Sequence, residues 1–199
     1  MLTRQYGYLW SKAGPPAEPQ TEVLEQLGGC LIEQVFTPAQ ISDLRSAVDS
    51  VFDAYPADVR QVDRAAAENA QFRYEMLNRN AVCQKAVSHP RILSVIEPLL
   101  GEDCHIIANT AWRNPPKPMD ASQPWHVDAG PHIPLPKGTR WPESLPHPVF
   151  AIGCHILIED CSLEDGPTGF VPKSHLSGRP PPGRRRDAPA ARAGRRARP

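Results

Sequence analysis

The sequence predicts an α+β protein in which helices come first and strands follow, with the β-part a sandwich or barrel that is cut short. Two helix patterns with clear start signals lie at 37–56 and 88–101, and β-suited runs lie at 104–112 and 149–158. The length of 199 residues fits one domain. A composition of 40% apolar and 22% charged residues excludes a coiled coil, a collagen and a simply disordered chain.

The first predicted helix, at 37–56, has the clearest capping signals. Thr37 suits the N-cap, Pro38 the first helical position, and Gln40 completes a capping box. One apolar stripe follows, and we expect the helix to end near Tyr55 and Pro56; the stripe consists of Ile41, Leu44, Val48, Val51 and Phe52.

The neighbouring segments give weaker signals. Residues 28–35 predict a strand or an entry segment, and 65–78 predict a second helix although its apolar residues show no clean period. A third helix begins near 88–90 and ends before Gly101, with Pro98 expected to kink or shorten it.

Three segments favour strands. Cys104–Trp112 is rich in β-forming residues and is followed by prolines. Val149–Ile158 alternates, but both of its faces are apolar, which predicts a strand inside a sandwich. Gly169–Pro172 predicts one further short strand.

The apolar patterning and the cysteines of the sequence indicate the cellular compartment. The sequence has no apolar run of membrane-spanning length and no visible signal peptide, so we expect no membrane association. Five scattered cysteines without a C-x-x-C pair indicate a reduced, cytoplasmic protein with free thiols.

The net charge of zero conceals a strong asymmetry. Residues 178–199 hold eight Arg and one Asp, a charge of +7, so residues 1–177 carry −7. The tail has no aliphatic side chain larger than Ala and is expected to be disordered. Its Arg, Pro, Ala and Gly residues share codons that begin with two G or C bases, so we hypothesise that in-frame coding ends near Gly178. A genuine basic arm and a solvated tail without a role are the alternatives; nucleic-acid binding is disfavoured because the tail has no aromatic residue.

An H-x-D pair is the strongest candidate for chemistry. On a strand, His126 and Asp128 would point to the same face and could converge on one metal ion. A second His would complete the two-His, one-carboxylate triad of non-haem iron. The alternative is a surface strand whose His and Asp face water.

Three motifs follow one another along the chain: Q-P-W-H-V-D at 123–128, V-F-A-I-G-C-H-I-L-I-E-D at 149–160 and D-G-P-T-G-F-V-P-K-S-H at 165–175. Together and in this order they resemble the phytanoyl-CoA dioxygenase family of iron(II)- and 2-oxoglutarate-dependent oxygenases. The segment L-E-Q-L-G-G-C-L-I-E-Q-V-F-T-P-A-Q-I-S-D-L-R is similar to the family's helix-strand-helix opening, so the resemblance covers about residues 22–178.

The resemblance implies a double-stranded β-helix, of the jelly-roll or cupin type, that is incomplete at the C-terminus. It implies Fe(II), 2-oxoglutarate as cosubstrate, O2, and a small organic substrate that is hydroxylated. His126 and Asp128 match the first two metal ligands, and Trp125 would wall the pocket. Gln123 and His132 are close enough in sequence to reach the cosubstrate, and each is equally suited to the rim of the pocket.

The chain departs from the family at its C-terminal end. The family's distal His and its 2-oxoglutarate-binding Arg follow the P-x-S-H segment, whereas no His occurs here after His175. His175 itself matches a His that is normally not a ligand, and His155 is expected in the core or at the rim. The third metal ligand is therefore missing, and the chain is expected to be truncated and inactive or impaired.

The expected organisation is an N-terminal segment 1–21, an incomplete oxygenase-like domain 22–177 and the tail 178–199. Two alternatives stay open. One is a non-catalytic binding module whose basic tail engages an acidic partner. The other is an unrelated α+β protein in which the H-x-D pair has no role. The sequence leaves the substrate and the oligomeric state open.

Overall fold

The computed structural model describes residues 19–57, 70–113, 135–142, 144–145, 147–162, 165, 167–177 and 191–192. The chain divides into two compact units, each described by itself below. Unit 1 consists of Met1–Ile32, Ser94–Cys104 and Pro116–Pro199, and unit 2 of Glu33–Leu93 and His105–Pro115.

Helices dominate the N-terminal half of the described chain. They are α1 Pro19–Leu27, α2 Pro38–Ala54, α3 Met76–Arg79, α4 Ala81–Val87 and α5 Pro90–Leu100, with a 3-10 helix at Ser174–Leu176. The strands are β1 Phe72–Tyr74, β2 Thr110–Trp112, β3 Gly169–Phe170 and β4 Ala191–Arg192. They form two antiparallel pairs, β1 with β2 and β3 with β4.

Helix α2 confirms the prediction made from its capping signals. The Gln40 main-chain N–H donates to the Thr37 hydroxyl at 3.3 Å, and the Thr37 N–H donates to the Gln40 side-chain oxygen at 2.8 Å. Each bond satisfies a donor that the first turn of a helix leaves free. The helix ends at Ala54 with Tyr55 as its C-cap, as predicted.

The predicted second helix at 65–78 is wrong for residues 72–74, which form β1, whereas residues 76–78 belong to α3. Arg73 explains the strand: it is only 8% exposed, and its guanidinium donates to four main-chain carbonyls. Two of these, on Phe52 and Tyr55, belong to the C-terminal end of α2, where a cation is favourable. Pairing with β2 completes the strand, with Arg73 opposite Ala111.

The core of unit 2 forms where α2 meets α3 and α4. Ala47, Val51, Met76 and Cys83 are buried together, and Val48, Val82 and Ala111 pack against them. Val51 and Met76 are each 2% exposed. The apolar stripe predicted for α2 therefore faces the core, as a helical period of 3.6 residues requires.

Two asparagines start the short helices of unit 2. The side chain of Asn80 accepts from the Val82 N–H at 2.8 Å and caps α4. Helix α3 begins after Glu75, whose φ is +57° and whose side chain makes no capping bond. Asn109 supplies the cap instead, because its side chain accepts from the Leu77 N–H at 2.8 Å and its carbonyl accepts from the Met76 N–H at 3.3 Å.

Helix α1 is fixed to the unit 1 portion of α5 by a buried hydroxyl. Thr21 is 0% exposed, and its Oγ1 donates to the Val95 carbonyl at 3.1 Å. Pro98 lies inside α5, which nevertheless continues to Leu100, so the expected shortening of this helix is wrong. Gly101 follows at φ +93°, a conformation that glycine adopts at little cost.

Replacing Thr21 by valine is expected to lower the free energy of unfolding by about 1 kcal/mol, because the shape is kept and one buried hydrogen bond is lost. Chemical denaturation monitored by circular dichroism measures the change. Thr21→Ser, which keeps the hydroxyl but loses a methyl group, is the matched control. If Thr21→Val were as stable as the wild-type chain, the bond to Val95 would contribute nothing.

The predicted strands are only partly present. Of residues 104–112 only 110–112 are a strand, and Ile106 and Ile107 are 54% and 80% exposed. Residues 149–158 form no strand, and Phe150 and Leu157 are half exposed, so a strand buried inside a sandwich is wrong for this segment. Residues 28–35 are not a strand either, whereas Gly169–Phe170 confirms the start of the last predicted one. The described parts of the chain are thus α+β with small antiparallel sheets, and they contain no double-stranded β-helix.

None of the helices within the described ranges has the length and apolar character that a membrane crossing requires.

Candidate functional site

The H-x-D pair lies outside the described residues. His126 and Asp128, the predicted metal ligands, fall between 113 and 135, as do Trp125 and the predicted cosubstrate residues Gln123 and His132. Of the other two motifs that carried the resemblance, the structure describes 149–160 in full and the C-terminal motif at 165–175 apart from Gly166. Its contacts determine which additional ligands this region can offer.

This C-terminal motif docks on the end of α1. The Lys173 N–H donates to the Leu27 carbonyl at 2.8 Å. The side chain of His175 reaches the same turn, where its Nε2 lies 2.9 Å from the Glu25 carbonyl oxygen. Because a carbonyl only accepts, Nε2 carries the proton in this contact. Both bonds satisfy carbonyls that the last turn of a helix leaves free.

Two glycines permit this close approach. Gly28 has φ +81°, and a Cβ placed on it would lie 2.3 Å from His175 Nδ1. A Cβ on Gly29 would lie 3.0 Å from three ring atoms of Phe170, the second residue of β3. The pair Gly28-Gly29 therefore ends α1 and makes room for two rings of the motif.

His175 is consequently unavailable as a metal ligand. Its Nε2 is engaged by α1, and its Nδ1 is buried against Gly28 without a hydrogen-bond partner among the described atoms. The motif's His therefore has a structural role in this chain, which agrees with the family pattern in which it is not a ligand. No local signal could predict this contact, because Glu25 and His175 are 150 residues apart.

A row of rings lies beside His175. The rings of His147 and His175 meet edge to face at 5.8 Å, and those of Trp141 and His147 at 5.1 Å. The Trp141 main-chain N–H donates to the Leu176 carbonyl at 3.3 Å, and its indole N–H donates to the Leu145 carbonyl at 2.8 Å. The described part of the proline-rich loop is thus held to the motif by Trp141.

The described residues do not complete a metal site. They contain no group of three or more His, Cys, Asp or Glu side chains that could hold a metal ion. His155 is exposed, so its expected place in the core is wrong, and a place at the rim of a pocket stays a prediction.

The turn that precedes the motif is held by a carboxylate. Asp165 Oδ2 accepts from the Ser162 N–H at 2.7 Å. Hydrogen bonds from the side chain and the main chain of Ser162 lower the pKa of Asp165 below its usual value. The lowered pKa means that this contact stabilises the turn at neutral pH and is lost as the pH falls through the carboxyl's folded-state pKa.

All five cysteines are free thiols, and they differ in exposure. Cys83 is 6% exposed in the core of unit 2, whereas the side chain of Cys154 is exposed, although burial raises the pKa of both thiols. Because the two pKa values shift in the same direction, the difference in exposure decides the order, and Cys83 is expected to be alkylated last and Cys154 earlier. A time course of iodoacetamide labelling, read by peptide mass spectrometry, tests this order. Equal labelling rates for Cys83 and Cys154 in the folded protein would contradict the described burial.

The family model described as phytanoyl-CoA dioxygenase (PhyH) matches residues 24–198. No curated protein and no solved structure matches the chain. The matched range extends past residue 178, where the resemblance read from the motifs ended, and the alternative of an unrelated α+β protein is wrong. Since the match covers most of its length, the chain belongs to the phytanoyl-CoA dioxygenase family.

Proposed function

We propose that this chain is an iron(II)- and 2-oxoglutarate-dependent oxygenase of the phytanoyl-CoA dioxygenase type, with a small organic molecule as its substrate. The family match over 24–198 carries the proposal, because the matched range includes the H-x-D pair and the motif that docks on α1. The family's double-stranded β-helix is part of the proposal, with 22–177 as the oxygenase-like domain and 178–199 as a tail, of which Ala191–Arg192 form β4. A cytoplasmic location is proposed on the basis of the five free thiols.

His126 and Asp128 are the proposed iron ligands. A neutral imidazole and an ionised carboxylate are donors that iron(II) accepts, and on a strand the two would share one face. Gln123 and His132 are the proposed cosubstrate contacts. Bound iron with 2-oxoglutarate would supply the oxidising chemistry, and the residues of this chain would hold the metal and orient the cosubstrate.

The proposed activity is impaired in this chain. No His follows His175 in the sequence, and His175 is engaged by α1. Two protein ligands bind a metal more weakly than three. Without an Arg at the family's position, 2-oxoglutarate also lacks its charge-assisted anchor. We therefore propose weak iron binding and slow turnover.

The proposed activity requires bound iron, so metal binding is tested first. Anaerobic titration calorimetry with Fe(II) is expected to show weak binding by the wild-type chain and at least about tenfold weaker binding by His126→Ala, which is a loss of about 1.4 kcal/mol. Asp128→Ala is expected to behave like His126→Ala. His105→Ala, which removes an exposed His elsewhere in the chain, is the matched control and should bind like the wild type.

Turnover is measured separately as decarboxylation of 2-oxoglutarate under O2. Slow turnover that His126→Ala abolishes is expected. Iron binding that is the same in the wild type, His126→Ala and Asp128→Ala would overturn the proposed site.

Sequencing the gene through codon 178 and translating all frames tests the proposed end of the coding frame. A frame that encodes a His and an Arg beyond this point would identify the missing groups.

A further inference from the structure

The C-terminal basic segment 178–199 contributes a strand to unit 1. Its residues Ala191–Arg192 form β4, which pairs antiparallel with β3, the strand Gly169–Phe170 of the C-terminal motif. In the described part of the chain, β4 is the only strand that pairs with β3. The family match also continues through this segment to residue 198. The basic segment is thus joined to the motif at one point, where it covers an edge of β3.

The direction of this pairing brings opposite charges toward each other. Gly169 lies opposite Arg192, so the residues that follow β4 run back along those that precede β3. Arg195 and Arg196 come three and four residues after β4. The acidic run 159–165 ends four residues before β3, and its carboxylates belong to Glu159, Asp160, Glu164 and Asp165. At about 3.3 Å per residue, the two arginines and the end of the acidic run lie within about 13 Å of the pair along the chain. A parallel pair would carry the arginines away from the acidic run.

We propose that the segment 178–199 closes on the motif as a charge-dependent clasp, in which attraction between its arginines and the acidic run 159–165 holds β4 against β3. Two-stranded pairs are marginally stable by themselves in water, and each strand of this one has only two residues. Charge supplies the remaining attraction, because the segment carries +7 and residues 1–177 carry −7. Salt and polyanions therefore open the clasp, since salt screens the attraction and a polyanion competes for the arginines.

Opening the clasp uncovers β3 without releasing the motif from α1. The Phe170 ring lies against Gly29, and the Lys173 N–H donates to the Leu27 carbonyl at 2.8 Å. Neither contact involves the basic segment. The clasp thus controls access to the edge of β3, where an uncovered strand can pair with another chain. It requires neither iron nor 2-oxoglutarate, so its tests do not depend on the proposed activity.

Hydrogen exchange of the full chain, measured by nuclear magnetic resonance at Gly169 and Phe170, tests the clasp. The β3 amide that donates to β4 is expected to be protected at about 20 mM salt. At about 0.5 M salt its exchange should be at least about tenfold faster, because the screening length falls from about 20 Å to about 4 Å. Inorganic tripolyphosphate at low salt should act in the same way, while the amides of α2 serve as a reference that neither addition changes. Exchange at β3 that is already fast at low salt, or that salt or tripolyphosphate leaves unchanged, overturns the proposal.

Charge reversal tests which arginines hold the clasp. Arg195→Glu combined with Arg196→Glu is expected to accelerate exchange of the β3 amide at least about tenfold at low salt. Arg185→Glu combined with Arg186→Glu is the matched control, because it changes the net charge equally on the other side of β4, which the same register directs away from the acidic run. The control should exchange like the wild type. Equal exchange rates in the two double variants would overturn the proposal.

Discussion

Replacing Arg73 by methionine is expected to lower the free energy of unfolding by at least about 4 kcal/mol. The substitution keeps most of the apolar length of the side chain but leaves four carbonyls without its guanidinium, and each lost charge-assisted bond or unsatisfied buried acceptor costs about 1–3 kcal/mol. The guanidinium also lies 4.4 Å from the ring centre of Phe52. Urea denaturation followed by circular dichroism measures the loss.

Arg79→Met is the matched control for this experiment. Arg79 is half-buried and lies over the Tyr55 ring at 4.6 Å, a contact worth about 0.5–1 kcal/mol. Arg73→Lys should recover part of the stability, since an ammonium keeps the charge but cannot reach all four carbonyls. If Arg73→Met lowers the free energy of unfolding no more than Arg79→Met does, the hydrogen bonds from Arg73 to the carbonyls of α2 do not stabilise the fold.

Gly28→Ala is expected to destabilise the protein by about 3 kcal/mol. The left-handed backbone conformation at φ +81° costs an alanine about 1–2 kcal/mol. The new methyl group would also lie far inside contact distance of His175 Nδ1, so the ring must leave its position on α1. Thermal unfolding measures the change in stability, and nuclear magnetic resonance of the His175 ring reports whether it has moved.

Gly138→Ala separates these two costs. Gly138 has φ +87° with no atom within 4 Å of an added Cβ, so its substitution carries the backbone cost without the clash. The excess loss in Gly28→Ala then measures the contact with His175. Adding His175→Ala to Gly28→Ala should remove most of this excess. If Gly28→Ala and Gly138→Ala lose equal stability, the ring does not pack against Gly28.

Local signals account for the part of the fold that the sequence predicted well. Helix α2 follows from Thr37, Pro38 and Gln40, since every group in its cap lies within one turn. The end of α5 at Leu100 follows from Gly101 in the same way. In both cases the residues that decide the element are its own sequence neighbours.

The elements that sequence reasoning missed depend on distant partners. Residues 72–74 form β1 because Arg73 binds the end of α2 and because β2 supplies the second strand. The run 149–158 has the composition of a buried strand, but burial also requires covering layers, which a propensity cannot reveal. The alternating pattern of residues 149–158 was therefore not sufficient to predict a strand in the interior of a sandwich.

The same distinction between local signals and distant contacts applies to the candidate site. The H-x-D spacing suggests a metal site because its two donors are local, whereas no local pattern can supply a third ligand. The structural role of His175 depends on a contact with Glu25 and on the room made by Gly28, neither of which a motif contains. Sequence order therefore indicated the family, whereas contacts show that His175 is held by α1.

The cap that Asn109 gives to α3 has a consequence for the order of folding. A four-residue helix cannot nucleate by itself, and this one receives a capping acceptor from a residue 32 positions away from Leu77. The helix therefore cannot persist until the chain has closed that loop and brought β2 beside β1. Amide protons of α3 and of the β1–β2 pair should accordingly exchange with solvent in one cooperative opening rather than one after the other.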